Sequence, residues 1–148
     1  MMKRRLVAAG ATLFLAFGIN GLTATGAYAG GYNWVPLPMH NVTVGKSTWK
    51  VPGGGLDVTV NGSGYDYKKW TGSAASVQLC YPRVDLLTRG YQSALLTRLK
   101  GVEYNGCVNW ERRNSRENGQ FASNTRQACS EYYGNGNYKA QACVYVHA

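Results

Sequence analysis

The chain is poor in histidine and in acid: two histidines and seven carboxylates stand against sixteen lysines and arginines in 148 residues. A Ser-His-Asp or Cys-His site needs a base held beside its nucleophile. Neither His40 nor His147 sits in a local motif that would hold it so. The carboxylates at 57, 66, 85, 103, 111, 117 and 131 could be paired for glycoside cleavage in any combination, which singles out none. Glu111, His147 and Arg112 can be cast as base, acid and phosphate holder of a small ribonuclease, with no motif fixing them. A glycine-rich phosphate loop opening a helix and a calcium loop are both missing. The cysteine spacing matches no C-x₂-C zinc pattern, so neither metal nor cofactor is expected.

Long apolar runs are confined to the first residues. Met1 to Arg5 is basic, Leu6 to Ile19 is apolar, and Ala27-Tyr28-Ala29 puts small residues where a signal peptidase reads them. This pattern predicts a secretory signal peptide over residues 1–29. The apolar run is interrupted by Gly10 and Gly18 and is shorter than the roughly 20 residues a membrane span needs, so no membrane anchor is expected. No cysteine follows the cleavage point and no hydrophobic tail ends the chain, which points to a released, extracellular product. Cleavage would remove 29 of the 148 residues and leave 119, one ordinary domain. Lys3, Arg4 and Arg5 would leave with the signal and take the formal charge from +9 to +6. That balance favours weak attraction to anionic surfaces. A dedicated nucleic-acid binder shows a denser basic stripe, so nucleic acid is not the expected partner.

What the chain does have is cysteine in an even number, together with glycine and aromatic residues. Cys80, Cys107, Cys129 and Cys143 in an exported chain predict two disulfides. Four cysteines allow three pairings, of which the sequential one, Cys80 with Cys107 and Cys129 with Cys143, is preferred here. A cross-sheet pairing stays open, because directly opposed strand residues sit slightly wide for an easy bridge.

Side-chain alternation carries the fold. In Tyr138 to Val146, residues Tyr138, Ala140, Ala142, Val144 and Val146 share one face, and Lys139, Gln141, Cys143 and Tyr145 share the other. Gly134 to Asn137 supplies a reversal, so Gln127 to Tyr133 should lie antiparallel to this last strand. Leu56, Val58 and Val60 alternate inward between the turn signals Gly53 to Gly55 and Asn61 to Gly64. Ser76 to Tyr81 reads as a strand ended by Pro82. Leu-Leu-Thr-Arg occurs at 86–89 and again at 95–98, which predicts two strands pairing around Gly90, with a short helix over Ser93 to Lys100 as the competing reading. Val102 to Tyr104 and Cys107 to Trp110 around Asn105-Gly106 predict a further hairpin. Glu111 to Arg126 is the most polar stretch and reads as a solvated loop. The expected architecture is therefore all-β, a small antiparallel β-sandwich or barrel braced by two disulfides, over residues 56–148.

Ahead of it, residues 30–55 read as an extended N-terminal arm, because Pro36 and Pro38 favour extended backbone. Two short strands, Asn41 to Val44 and Ser47 to Val51, fit within it. The arm either packs across its own domain or presents Tyr32, Trp34, Val35, Leu37 and Met39 to a partner by strand addition. Tyr65, Tyr67 and Trp70 read as one aromatic strand face, or else as a stacking platform for sugar rings.

An apolar arm ahead of a disulfide-bonded module resembles, in organisation, the adaptor subunits that join lectin and scaffold proteins in umbrella toxin particles. These belong among the small exported β-rich proteins of actinomycete bacteria. The resemblance spans the mature chain as an arrangement and transfers no individual residue. It implies a structural role without catalysis, as a subunit bound to another secreted protein. The alternatives are a carbohydrate or cell-wall-polymer binder, a small secreted hydrolase, or a protease inhibitor.

Overall fold

The two-residue alternation is realised along most of the described residues. The structure, a computed structural model, describes residues 30–44, 46–51, 53–134 and 137–146. Residues 1–29, the stretch read as a signal peptide, and His147 lie outside them. The strands are β1 (Gly31–Pro36), β2 (His40–Val44), β3 (Ser47–Val51), β4 (Gly55–Ser63), β5 (Asp66–Cys80), β6 (Arg83–Arg89), β7 (Leu95–Leu99), β8 (Cys107–Gln120), β9 (Gln127–Gly134) and β10 (Asn137–Tyr145). They form two four-stranded antiparallel sheets, β1-β4-β5-β8 and β10-β9-β6-β7, with β2 and β3 as a separate hairpin. No helix among the described residues is long and apolar enough to cross a membrane.

The faces of the sheets follow from residue type. Leu56, Val58 and Val60 of β4 are fully buried, as are Leu86 of β6 and Ala128 of β9, while Ala142 of β10 is almost so. These pack the two sheets together as a sandwich. Gly72 of β5 allows the sheets to close, since a Cβ there would stand 2.5 Å from the Ser130 Cβ of the facing sheet. Ser130 in turn donates a hydrogen bond to the Asp57 carbonyl at 2.7 Å, so the one polar contact at this point is satisfied. Two asparagines tie the flanks. Asn33 Nδ2 donates to the Cys143 carbonyl on one side, and Asn114 Nδ2 donates to the Val84 carbonyl on the other.

Both disulfides form with the sequential pairing. Cys129 lies directly opposite Cys143 and Cys80 directly opposite Cys107. The Cα atoms approach to 4.0 and 3.9 Å, so directly opposed positions do come close enough for the bridge.

The Leu-Leu-Thr-Arg echo is a strand pair: Leu86 faces Leu99, Leu87 faces Arg98 and Thr88 faces Thr97, with a three-residue 3₁₀ turn over Tyr91–Ser93 between them. Two expectations fail. Residues 102–104 form no strand, because this loop is spent on the β5–β6 crossover: the Tyr104 amide donates to the Pro82 carbonyl and the Tyr81 amide to the Gly106 carbonyl. The polar stretch from Glu111 is also not a loop as far as Gln120. It is most of β8, an edge strand paired along β5. An edge strand with one face in water needs few apolar side chains, and its charges blunt further pairing.

The segment 30–55 divides in two. β1 is a strand of the first sheet, with Gly31 opposite Val60 and Pro36 opposite Gly55. β1 is the edge strand of this sheet. The Trp34 amide donates to the Asn33 side chain, and that same side chain reaches β10. The arm thus packs on its own domain through β1. The β2–β3 hairpin, by contrast, is joined to neither sheet.

Candidate functional site

The outer face of the first sheet collects the side chains that point away from Leu56, Val58 and Val60. Antiparallel register places Trp34, Asp57, Ser73 and Arg113 in one row across β1, β4, β5 and β8. Glu111, two residues along β8 from Arg113, shares the face. Ser73 is buried, and its hydroxyl donates to Glu111 Oε1 at 2.5 Å. Arg113 NH2 meets the same oxygen at 2.8 Å. The Ser73 hydrogen bond, then that from Arg113, holds the Glu111 carboxyl below the usual carboxylate range. Asp57 is shifted the other way, raised by burial and then by the Glu111 charge, with Arg113 partly offsetting this. One arginine thus serves two carboxylates with opposed shifts.

Trp34 closes the row. It is 51% exposed, and Gly55 lies beneath it: a Cβ at 55 would stand 1.9 Å from the indole Nε1. The absence of a side chain at Gly55 lets the indole settle against the sheet. Further along β5 on this face, the Thr71 hydroxyl is buried and has no hydrogen-bond partner among the described residues.

The end of this sheet from which the hairpin departs is apolar and exposed. Met39 precedes the hairpin and Trp49, 63% exposed, lies on it. At the hairpin's base Gly54 packs on the Ala75 backbone, and the next residue, Ser76, faces Trp110. Val77 is exposed there, and Trp110 is 74% exposed. The pairing of β5 with β8 is irregular between Ser76 and Leu79, and Trp110 takes φ +83°. A bulky residue in the left-handed region is strained by about 1–3 kcal/mol, a cost met more often at working surfaces than elsewhere.

Several residues expected at a site are elsewhere. Leu37 is 6% exposed and belongs to the core, and Val35 packs against it, so neither is presented to a partner. Tyr32, Trp34 and Met39 are exposed. Trp70, expected as part of a sugar platform, is 2% exposed because it faces Val60 on the inward side of β5. It packs edge-on against Tyr67 and Phe121, with centroids at 5.8 and 5.1 Å, and Tyr65 is also packed on the core. Tyr67 lines a shallow groove with Asp66, Lys68, Asn118 and Gln120 at the β4–β5 turn. Asp57, Ser73, Trp49 and Trp110 were not singled out as site residues by sequence reasoning, whereas Arg113 stood among the arginines of 111–126 that could hold carboxylate or phosphate groups. The alternation of β4 places Asp57 outward, but its neighbours come from strands remote in the chain. Among the described residues no group of three or more His, Cys, Asp or Glu could hold a metal ion.

No protein-family model, no curated protein and no solved structure matches this chain, so the functional reading rests on its own residues.

Proposed function

We propose that the protein is an extracellular, non-catalytic binding module that docks another secreted protein through the end of the first sheet bearing the β2–β3 hairpin. One observation carries this reading: a hairpin joined to neither sheet carries Trp49 in solvent and departs between Pro36 and Gly55, at the end of the first sheet where Val77 and Trp110 are exposed. An isolated two-stranded hairpin is marginally stable in water, and burial against a partner would supply what the sandwich does not. Large exposed apolar groups gathered at one end of a small domain mark contact surfaces, and aromatic residues dominate such contacts. Two disulfides fit an oxidising compartment. An adaptor subunit of an extracellular toxin complex is the specific form of this reading.

The test is co-purification of the tagged full chain from culture medium, alongside Trp49→Ser and a variant with residues 40–51 replaced by a short glycine-serine link. A stoichiometric protein partner held by the wild type and lost by both variants, with unchanged circular dichroism, is the expected result. Equal capture by all three forms would remove the hairpin from the interface.

A further inference from the structure

We propose that the outer face of the first sheet holds a binding site for a neutral pyranose chain, with Trp34 as the stacking platform, Asp57, Glu111 and Arg113 as the groups that bind its hydroxyls, and Ser73 holding Glu111 in place. This goes beyond the protein-docking surface and does not depend on it, since Met39, Trp49, Val77 and Trp110 take no part.

The geometry has three parts. Trp34 lies against Gly55, so one side of the indole is covered by the sheet and the other is offered to solvent. A pyranose presents an apolar C–H face to such a ring, while its hydroxyls project at the rim. The polar row begins at the next strand. Asp57 stands directly opposite Trp34, Ser73 opposite Asp57 and Arg113 opposite Ser73. At about 4.8 Å per strand the row runs roughly 14 Å from Trp34, the length of a short oligosaccharide.

The chemistry selects a neutral polyol. Sugar hydroxyls donate and accept together, which matches carboxylate acceptors beside a guanidinium donor. Glu111 is already hydrogen-bonded by Ser73 and paired with Arg113, so it is fixed in place. Asp57 stands next to Trp34 in the row, its carboxyl raised by burial and then by the Glu111 charge. Two carboxylates, Asp57 and Glu111, against the single Arg113 of this group disfavour an anionic chain. The sequence places a sugar platform at Tyr65, Tyr67 and Trp70, but the fold turns Trp70 inward and gives the platform to Trp34.

The test titrates the disulfide-bonded full chain with cellotetraose, with the N-acetylglucosamine tetramer and with a galacturonate tetramer, following the tryptophan indole N–H signals by NMR. Saturable shifts of the Trp34 signal with at least one neutral tetramer, and none with the galacturonate, are the expected result. Trp34→Ala and Asp57→Asn should each weaken that binding at least tenfold, while Trp49→Ser leaves it unchanged. Asp57→Asn keeps the shape of its side chain, so it reports on the site even where loss of Trp34 disturbs the strand. No shift with either neutral tetramer, preference for the galacturonate, or undiminished binding by Asp57→Asn would overturn the proposal. Loss of protein capture in Trp49→Ser with sugar binding intact would separate the two surfaces.

Discussion

The outer faces of the two sheets draw on the same residue types and are finished differently. On the second sheet Asp85 and Glu131 face each other across β6 and β9 and are buried. Arg83 and Arg98 meet Asp85 at 2.8 and 3.1 Å, and Arg98 and Arg89 meet Glu131 at 2.6 and 3.3 Å. The Tyr133 hydroxyl donates to Glu131, Arg83 stacks over the Tyr133 ring, and the Gly101 amide donates to Asp85. Burial opposes the charge on Arg98, yet its hydrogen bonds to Glu131 and Asp85 outweigh this and raise its pKa. On the first sheet one arginine serves two carboxylates and an indole faces solvent. A face whose charges are sealed among themselves acts on stability, whereas one left partly unmatched beside an exposed ring is available to a ligand.

The sharpest way to break this contrast is on the sealed face. Arg98→Ala removes the shared partner of Asp85 and Glu131, which keep Arg83 and Arg89, and should cost about 1–3 kcal/mol, the penalty for buried acceptors that lose a hydrogen bond. Guanidinium unfolding measures it, and a loss under about 1 kcal/mol would mean that the network is ornamental. The same scale of loss is not expected from any single charge on the first sheet.

There, Ser73→Ala removes the main cause of the Glu111 depression, so the Glu111 carboxyl should titrate closer to the ordinary range by NMR. A depressed carboxyl contributes stability above its unfolded pKa, and that contribution disappears as pH falls through the folded value. The gap between wild type and Ser73→Ala should therefore be present at neutral pH and vanish in acid. Asp57 works in the opposite sense, because a raised carboxyl contributes below its unfolded pKa and loses that contribution as pH rises. Glu111 is well exposed and screened, so the effect should stay below about 1 kcal/mol. A gap that widens in acid would contradict the assignment.

How much of this could be read beforehand depends on the reach of each interaction. The inward faces of β4 and β10 were legible, because alternation is local and Leu56, Val58, Val60, Ala140, Ala142 and Val144 bury as their spacing demands. The repeated Leu-Leu-Thr-Arg was legible as a strand pair. Its function was not, since Arg89 and Arg98, the last residues of the two copies, come together only on Glu131. The greater part of β8, from Glu111 to Gln120, was missed because an edge strand looks like a polar loop when its partner is unknown. Trp70 was ambiguous because an aromatic strand residue reads alike on either face until its register with Val60 is fixed. The Ser73–Glu111 contact joins residues 38 apart, which no local pattern encodes.

The most direct measurement is guanidinium unfolding of the double variant Trp49→Ser, Trp110→Gly. If these rings serve contact, the midpoint should equal that of the wild type or exceed it, since glycine at φ +83° relieves strain worth about 1 kcal/mol. A loss of several kcal/mol would show that the aromatic end is part of the scaffold, and the docking surface proposed for it would fall.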